Sequence, residues 1–104
     1  MLSIACFDFL TNHSHVLLCV SRDPGMRLRE IAGCVGITER AAHRIVCELE
    51  SEGYLTRTRE GRRNAYEVHR ELPLRHGLEQ GATAGDLIEA MAGSPEGALA
   101  GNGA

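Results

Sequence analysis

The chain has 104 residues, with eleven basic and fourteen acidic side chains, a formal net charge of −3 and 43% hydrophobic residues. That length suits one domain with a modest core and makes an elaborate active site a poor first expectation. A pI of about 5.9 argues against a protein that coats nucleic acid through bulk positive charge, so the distribution of charge matters more than its total.

The opening run MLSIACFDFL is apolar, but it lacks a basic start and is broken by Asp8 at a length too short for a membrane span or a signal. A cytoplasmic protein with no membrane association is expected. Residues 1–11 have two readings: they fold back over the first helix, or they pair with apolar residues of a second subunit. In TNHSHVLLCVSRDPG, Thr11 or Asn12 can cap a helix whose Val16, Leu17 and Val20 share a face, and Asp23-Pro24-Gly25 stops it. A second helix over about 28–35 carries Leu28, Ile31, Ala32 and Val35 as one apolar stripe and ends at Gly36.

Thr38 then caps a third helix over 38–52, with Glu39 in its first turn, Ala42, Ile45, Val46 and Leu49 inward, and Gly53 as its stop. The stretch YLTRTREGRRNAYEVH reads as two strands, about 54–59 and 64–69, around a turn at Gly61, with Leu55, Tyr66 and Val68 covering the helices. Further on, Thr83 can cap a short fourth helix with Leu87, Ile88 and Met91 on one face. The end, GSPEGALAGNGA, has the composition of a disordered tail.

The order helix, helix, helix, hairpin is the sequence shape of a winged helix-turn-helix: α+β, mostly α, with a three-helix core, a two-stranded wing and a short C-terminal helix. Ile31 and Ala32 stand where the second helix must be apolar and then small. Gly36 takes the tight turn between Val35 and Ile37, and Ala42 and Ile45 clamp the third helix from within. With these inward, Thr38, Glu39, Arg40, His43 and Arg44 face outward, at the positions that reach base edges when such a helix lies in a major groove. Arg40 and Arg44 can contact guanine bidentately or grip phosphate.

All eleven basic residues are arginines, and all lie between Arg22 and Arg75. Four of them, Arg57, Arg59, Arg62 and Arg63, sit with Asn64 on or beside the hairpin turn, where a wing can reach phosphates or the minor groove. If three to five arginines neutralised phosphates, log K would fall with log salt at a slope of roughly −3 to −4.5 per subunit.

Three stretches, LTNHSHVLL, RLREIAGCVGITERAAHRIVCELESEGYLTRTREGRRNAYEV and PLRHGLE, together resemble the small winged helix-turn-helix regulators of the MarR and ArsR type, in a compact form of actinobacterial character. The resemblance covers about residues 7–91. It implies a cytoplasmic regulator of double-stranded DNA, often dimeric, with Thr38 to Arg44 as the recognition segment and Arg59 to Asn64 as the wing. ArsR-type metal sensors carry a cysteine pair at the start of the helix before recognition; here that place reads RLREIA, so a metal sensor of that type is not expected.

The expected organisation is an N-terminal apolar segment (1–11), a DNA-binding domain (12–76), a C-terminal helix available for dimerisation (77–92) and a disordered tail (93–104). The expected function is a sequence-specific repressor acting as a homodimer, without cofactor, metal or catalysis. No histidine stands with an acid and a nucleophile in a catalytic arrangement. The alternative is a winged-helix protein-interaction module, in which the arginines pair with acids on a protein partner. Cys6, Cys19, Cys34 and Cys47 read as reduced, mostly buried thiols that fill the core, with Cys47, on the His43 side of its helix, the one open to partial exposure. Glu48, Glu50 and Glu52 read as a solvated helix end.

Overall fold

A computed structural model describes residues 8–92. Its elements are α1 (Asn12–Arg22), α2 (Leu28–Val35), α3 (Glu39–Ser51), β1 (Leu55–Glu60), β2 (Arg63–Val68), a 3-10 turn (Gly77–Glu79) and α4 (Ala84–Ala92). Local chemistry sets most of these limits. The Thr11 hydroxyl accepts the Ser14 amide at 3.3 Å to start α1, and the Arg27 amide donates to Glu30 Oε1 at 2.7 Å to start α2. At the end of α2, Gly36 has φ 87° and the Ile37 amide reaches back to the Ala32 carbonyl at 3.0 Å. This left-handed closure suits glycine, because at positive φ a Cβ would crowd the residue's own carbonyl oxygen even though the space around it is open. Thr38 follows at once, its hydroxyl accepting the Ala41 amide at 3.0 Å, so the chain reverses into α3 within two residues.

Helix α3 ends by the same device. The Gly53 amide donates to Glu50 O at 3.1 Å and the Tyr54 amide to Leu49 O at 2.9 Å. Tyr54 is thereby spent on the helix end, and β1 begins at Leu55 rather than at 54. The strands pair antiparallel from Leu55↔Val68 to Glu60↔Arg63, so only Gly61 and Arg62 form the turn. Positive φ occurs at Gly61 (66°) and not at Arg62, the II′ pattern whose twist suits a tight hairpin. That two-residue turn is why β2 starts at 63 and not at 64.

Val16, Leu17 and Val20 of α1, Ile31 and Ala32 of α2, and Ala42, Ile45, Val46 and Leu49 of α3 share one buried cluster with Leu55, Tyr66, Ala84 and Ile88. Ala32 and Ala42, 5% and 0% exposed, keep α2 and α3 close where they pack. The wing is anchored to the α1–α2 loop by the Tyr66 amide, which donates to Pro24 O at 2.9 Å. Among the described residues no helix is long and apolar enough to cross a membrane.

Helix α4 starts at Ala84 behind the expected Thr83 cap, where Thr83 and Asp86 cap each other reciprocally at 2.9 and 3.1 Å, and a 3-10 turn occupies Gly77–Glu79. Two expectations need correction. The apolar face of α4 is not wholly free for a partner, because Ile88 is buried in the core and the Gly85 amide donates to Arg70 O at 2.9 Å. The cysteines are not core fillers either, since Cys34 is exposed and Cys19 and Cys47 are half-buried. They flank the buried stripes of their helices instead of lying on them. Cys6, most of the N-terminal apolar segment and the proposed disordered tail lie outside the described residues.

Candidate nucleic-acid interface

The α3 pattern presents two interleaved sets of side chains. Ala42 and Ile45 are buried, whereas Thr38, Glu39, Arg40, His43 and Arg44 are all exposed. Thr38, Arg40, His43 and Arg44 line one shallow surface hollow with Ala41. Arg40 has no hydrogen-bond or ion-pair partner among the described residues, so its guanidinium is available to a ligand. His43 Nε2 lies 3.6 Å from Cys47 Sγ, one turn further along.

Arg44 is engaged differently. Its Nη1 lies 3.4 Å from Glu48 Oε2, and the other carboxylate oxygen of Glu48 accepts from His13 Nε2 of α1 at 2.7 Å. The His13 hydrogen bond, and after it the positive charge of Arg44, holds the Glu48 carboxyl below its ordinary range. Glu48 is therefore a competitor for Arg44, which a helix-end acid read as merely solvated would not be.

The arginines of the hairpin divide in a similar way. Arg57 is not at the wing tip: it stands opposite Tyr66 in the middle of β1, and its Nη2 donates to Glu50 Oε1 of α3 at 3.0 Å. With side-chain exposures of 29% and 34%, this pair ties strand to helix and faces little solvent. Arg63 turns back from the wing and donates from Nη2 to Gly25 O at 3.0 Å. Arg59 donates from Nε to Gly61 O at 3.2 Å and so braces the turn. Arg62, on the turn itself, is exposed and has no partner among the described residues.

Glu39, Glu60 and Glu67 form no ion pair among the described residues, so the acids that meet the candidate arginines are Glu48 and Glu50. Arg62, Arg63 and half-buried Asn64 line a hollow together with Gly25, Met26, Arg27 and Tyr66. Arg27 is a candidate that the sequence reading passed over. Its signal was there: an arginine immediately before a helix start, which the fold sets beside the wing.

Residues 10–56 match a family model described as winged helix-turn-helix DNA-binding. The observed fold is a winged helix-turn-helix, and that match covers just under half of the chain. The match ends inside β1 and so does not include the wing turn. Among solved structures, the chain is similar to MepR, a transcription regulator of the Staphylococcus aureus multidrug efflux pump MepA. The TM-score is 0.51 and the identity 19%, over 81% of this chain and 56% of that one. It is also similar to the PcaV transcriptional regulator of Streptomyces coelicolor, solved with its natural ligand, with TM-score 0.51, 20% identity, and coverage of 86% of this chain and 67% of that one. At these identities the likeness is one of fold. The chain spans little more than half the length of MepR. No curated protein sequence matches the chain.

Proposed function

We propose that the chain is a sequence-specific transcriptional regulator of double-stranded DNA that acts in the cytoplasm as a repressor and a homodimer. Thr38, Glu39, Arg40, His43 and Arg44 would face the major groove, and the wing around Arg59 to Asn64 the flanking backbone or minor groove. The observation that carries this reading is the unpaired, exposed Arg40 on the first turn of a helix whose next residues inward, Ala42 and Ile45, lock it against α2. Arg62 and Arg27 add positive charge beside the wing, as phosphate contacts require. Arg57 and Arg63 contribute by holding the wing in place.

The dimer proposal rests on apolar surface outside the core. Leu78 and Phe9 are each 92% exposed, and Leu87 and Met91 are half-buried beside inward Ile88. A two-fold assembly would place two recognition helices on a palindromic site.

The test is selection of bound sequences from a random duplex pool. The expected result is a palindrome with half-site centres about 34–36 Å apart or a whole-turn multiple of that spacing. Affinity for the selected site should fall with salt at a log-log slope of roughly −3 to −4.5 per subunit. Recovery of no enriched sequence, with affinity in the range of nonspecific binding, would favour a protein-interaction module instead. The pairing of Arg44 and Arg57 with glutamates of α3 is the observation on that side.

A smaller effect is expected at Glu48. Glu48→Gln keeps the side chain's shape but removes the charge that competes for Arg44, so affinity for the selected site should rise about twofold, the scale of a surface i,i+4 ion pair. Fluorescence anisotropy on a labelled site reads it. An unchanged or weaker affinity would mean that Arg44 is not shared between Glu48 and DNA.

A further inference from the structure

Cys19 on α1 and Cys34 on α2 are fifteen positions apart in sequence, yet the packing of α1 on α2 brings both to line one surface hollow with His15, Leu18, Arg22, Met26 and Val35. Cys34 is exposed and Cys19 half-buried behind it. We propose that Cys34 and Cys19 form a peroxide-reactive dithiol, in which Cys34 is the residue attacked by a hydroperoxide and Cys19 resolves it to an intramolecular disulfide that ties α1 to α2.

Exposure gives Cys34 access to the oxidant, whereas Cys19 lies back in the hollow. Burial first, and then the neighbouring Cys34 thiol, push the Cys19 thiol up to about 12, with Arg22 acting in the opposite direction. Cys19 therefore keeps its proton near neutral pH and is not the initial nucleophile; it gives that proton up only as it attacks in the resolving step. In the first step the Cys34 thiolate attacks the outer oxygen of the hydroperoxide. A sulfur–oxygen bond forms, the oxygen–oxygen bond breaks, and the leaving alkoxide or hydroxide takes a proton from solvent. In the second step the Cys19 sulfur attacks Cys34 Sγ. The sulfur–oxygen bond breaks, and the departing hydroxyl leaves as water with the Cys19 proton. Two thiols are oxidised, and one hydroperoxide is reduced to an alcohol and water.

Cys47 is the internal contrast. Its sulfur neighbours His43 and no second thiol among the described residues, so none of these is placed to resolve a sulfenic acid formed there. The Cys19–Cys34 pair joins the helix that carries the domain's first apolar stripe to the helix that packs under α3. Oxidation thus adds a covalent tie across the core's edge without needing a second chain, and the inference stands apart from the DNA reading.

The test uses the full, reduced protein exposed to hydrogen peroxide and, separately, to an alkyl hydroperoxide. The expected result is loss of two of the four titratable thiols and a mass lower by about 2 Da. Non-reducing peptide mapping should show Cys19 linked to Cys34 within one chain, and dithiothreitol should reverse it. With Cys19→Ser, a sulfenic acid should accumulate at Cys34 and be trapped by a cyclic dione. With Cys34→Ser, Cys19 should stay reduced over the same period. All four thiols surviving treatment, a disulfide through Cys6 or Cys47, a bond between chains, or oxidation of Cys19 in the Cys34→Ser protein would each overturn the proposal. Serine differs from cysteine by one atom, and circular dichroism of the untreated variants checks that the fold is kept.

Discussion

Replacing Arg40 and Arg44 together with alanine is expected to lower affinity for the selected DNA site by about two to three orders of magnitude, while changing stability by less than about 0.5 kcal/mol. Both side chains are exposed and neither holds the core, so the protein should fold as before. One bidentate arginine contact to guanine is worth about 1–3 kcal/mol of discrimination. The two residues are not equivalent. Arg40 comes to DNA with no partner to leave, whereas Arg44 first gives up Glu48, so the single Arg40→Ala change should account for the larger share. Anisotropy titrations with the selected site and a scrambled duplex of the same length separate the two roles. Loss on the selected site alone marks base reading, and equal loss on both marks phosphate contact. Unchanged affinity on both would remove α3 as the recognition element.

That experiment targets the part of the molecule most legible from sequence. Capping threonines, left-handed glycines and an apolar period of 3.6 residues act over four or five positions, so they show in the chain without knowledge of what lies opposite. Thr11, Gly36, Thr38, Gly53 and Thr83 each occupy the terminal position that their chemistry suggests. The strand limits were legible only to within one residue. Their positions depend on two tertiary facts: the Tyr54 amide is claimed by Leu49 of the preceding helix, and the hairpin closes in two residues.

Side-chain pairing across long sequence separations was not legible. Whether an arginine is free depends on what the fold brings to it: Glu50 to Arg57 across seven positions, the Gly25 carbonyl to Arg63 across thirty-eight, and His13 to Glu48 across thirty-five. A charge count sees six arginines on the helix and wing. The fold sorts them into two without partners, Arg40 and Arg62, and four with tasks inside the domain. The cysteines show the same limit. A thiol between Leu18 and Val20 reads as core, but the stripe that faces inward is Val16, Leu17 and Val20, which leaves Cys19 lining the surface hollow it shares with Cys34 of α2.

The largest stability effect is expected at Ile31, which is 0% exposed at the centre of the cluster shared by α1, α2 and α3. Ile31→Ala removes three carbons from a site that the surrounding helices cannot fully close, at a cost of about 2–5 kcal/mol. For a domain of this size, total stability is of order 5–15 kcal/mol and each 1 kcal/mol shifts Tm by roughly 4–8 °C, so the melting point should fall by tens of degrees at the upper end. Ile88→Ala on α4 makes the measurement discriminating. Ile88 is 3% exposed in the same cluster, and α4 is held by the Thr83–Asp86 cap and the Gly85–Arg70 hydrogen bond. If α4 is integral to the domain, Ile88→Ala should also lower stability by about 2–4 kcal/mol, at any protein concentration. If α4 served only as a dimer arm, the loss would appear in the concentration dependence of unfolding and not in the monomer. Leu78→Ala, at a site 92% exposed, supplies the opposite signature: nearly unchanged monomer stability, with any loss confined to assembly. Urea unfolding of the three variants at two protein concentrations therefore distinguishes the residues that build the core from those left over for a second subunit.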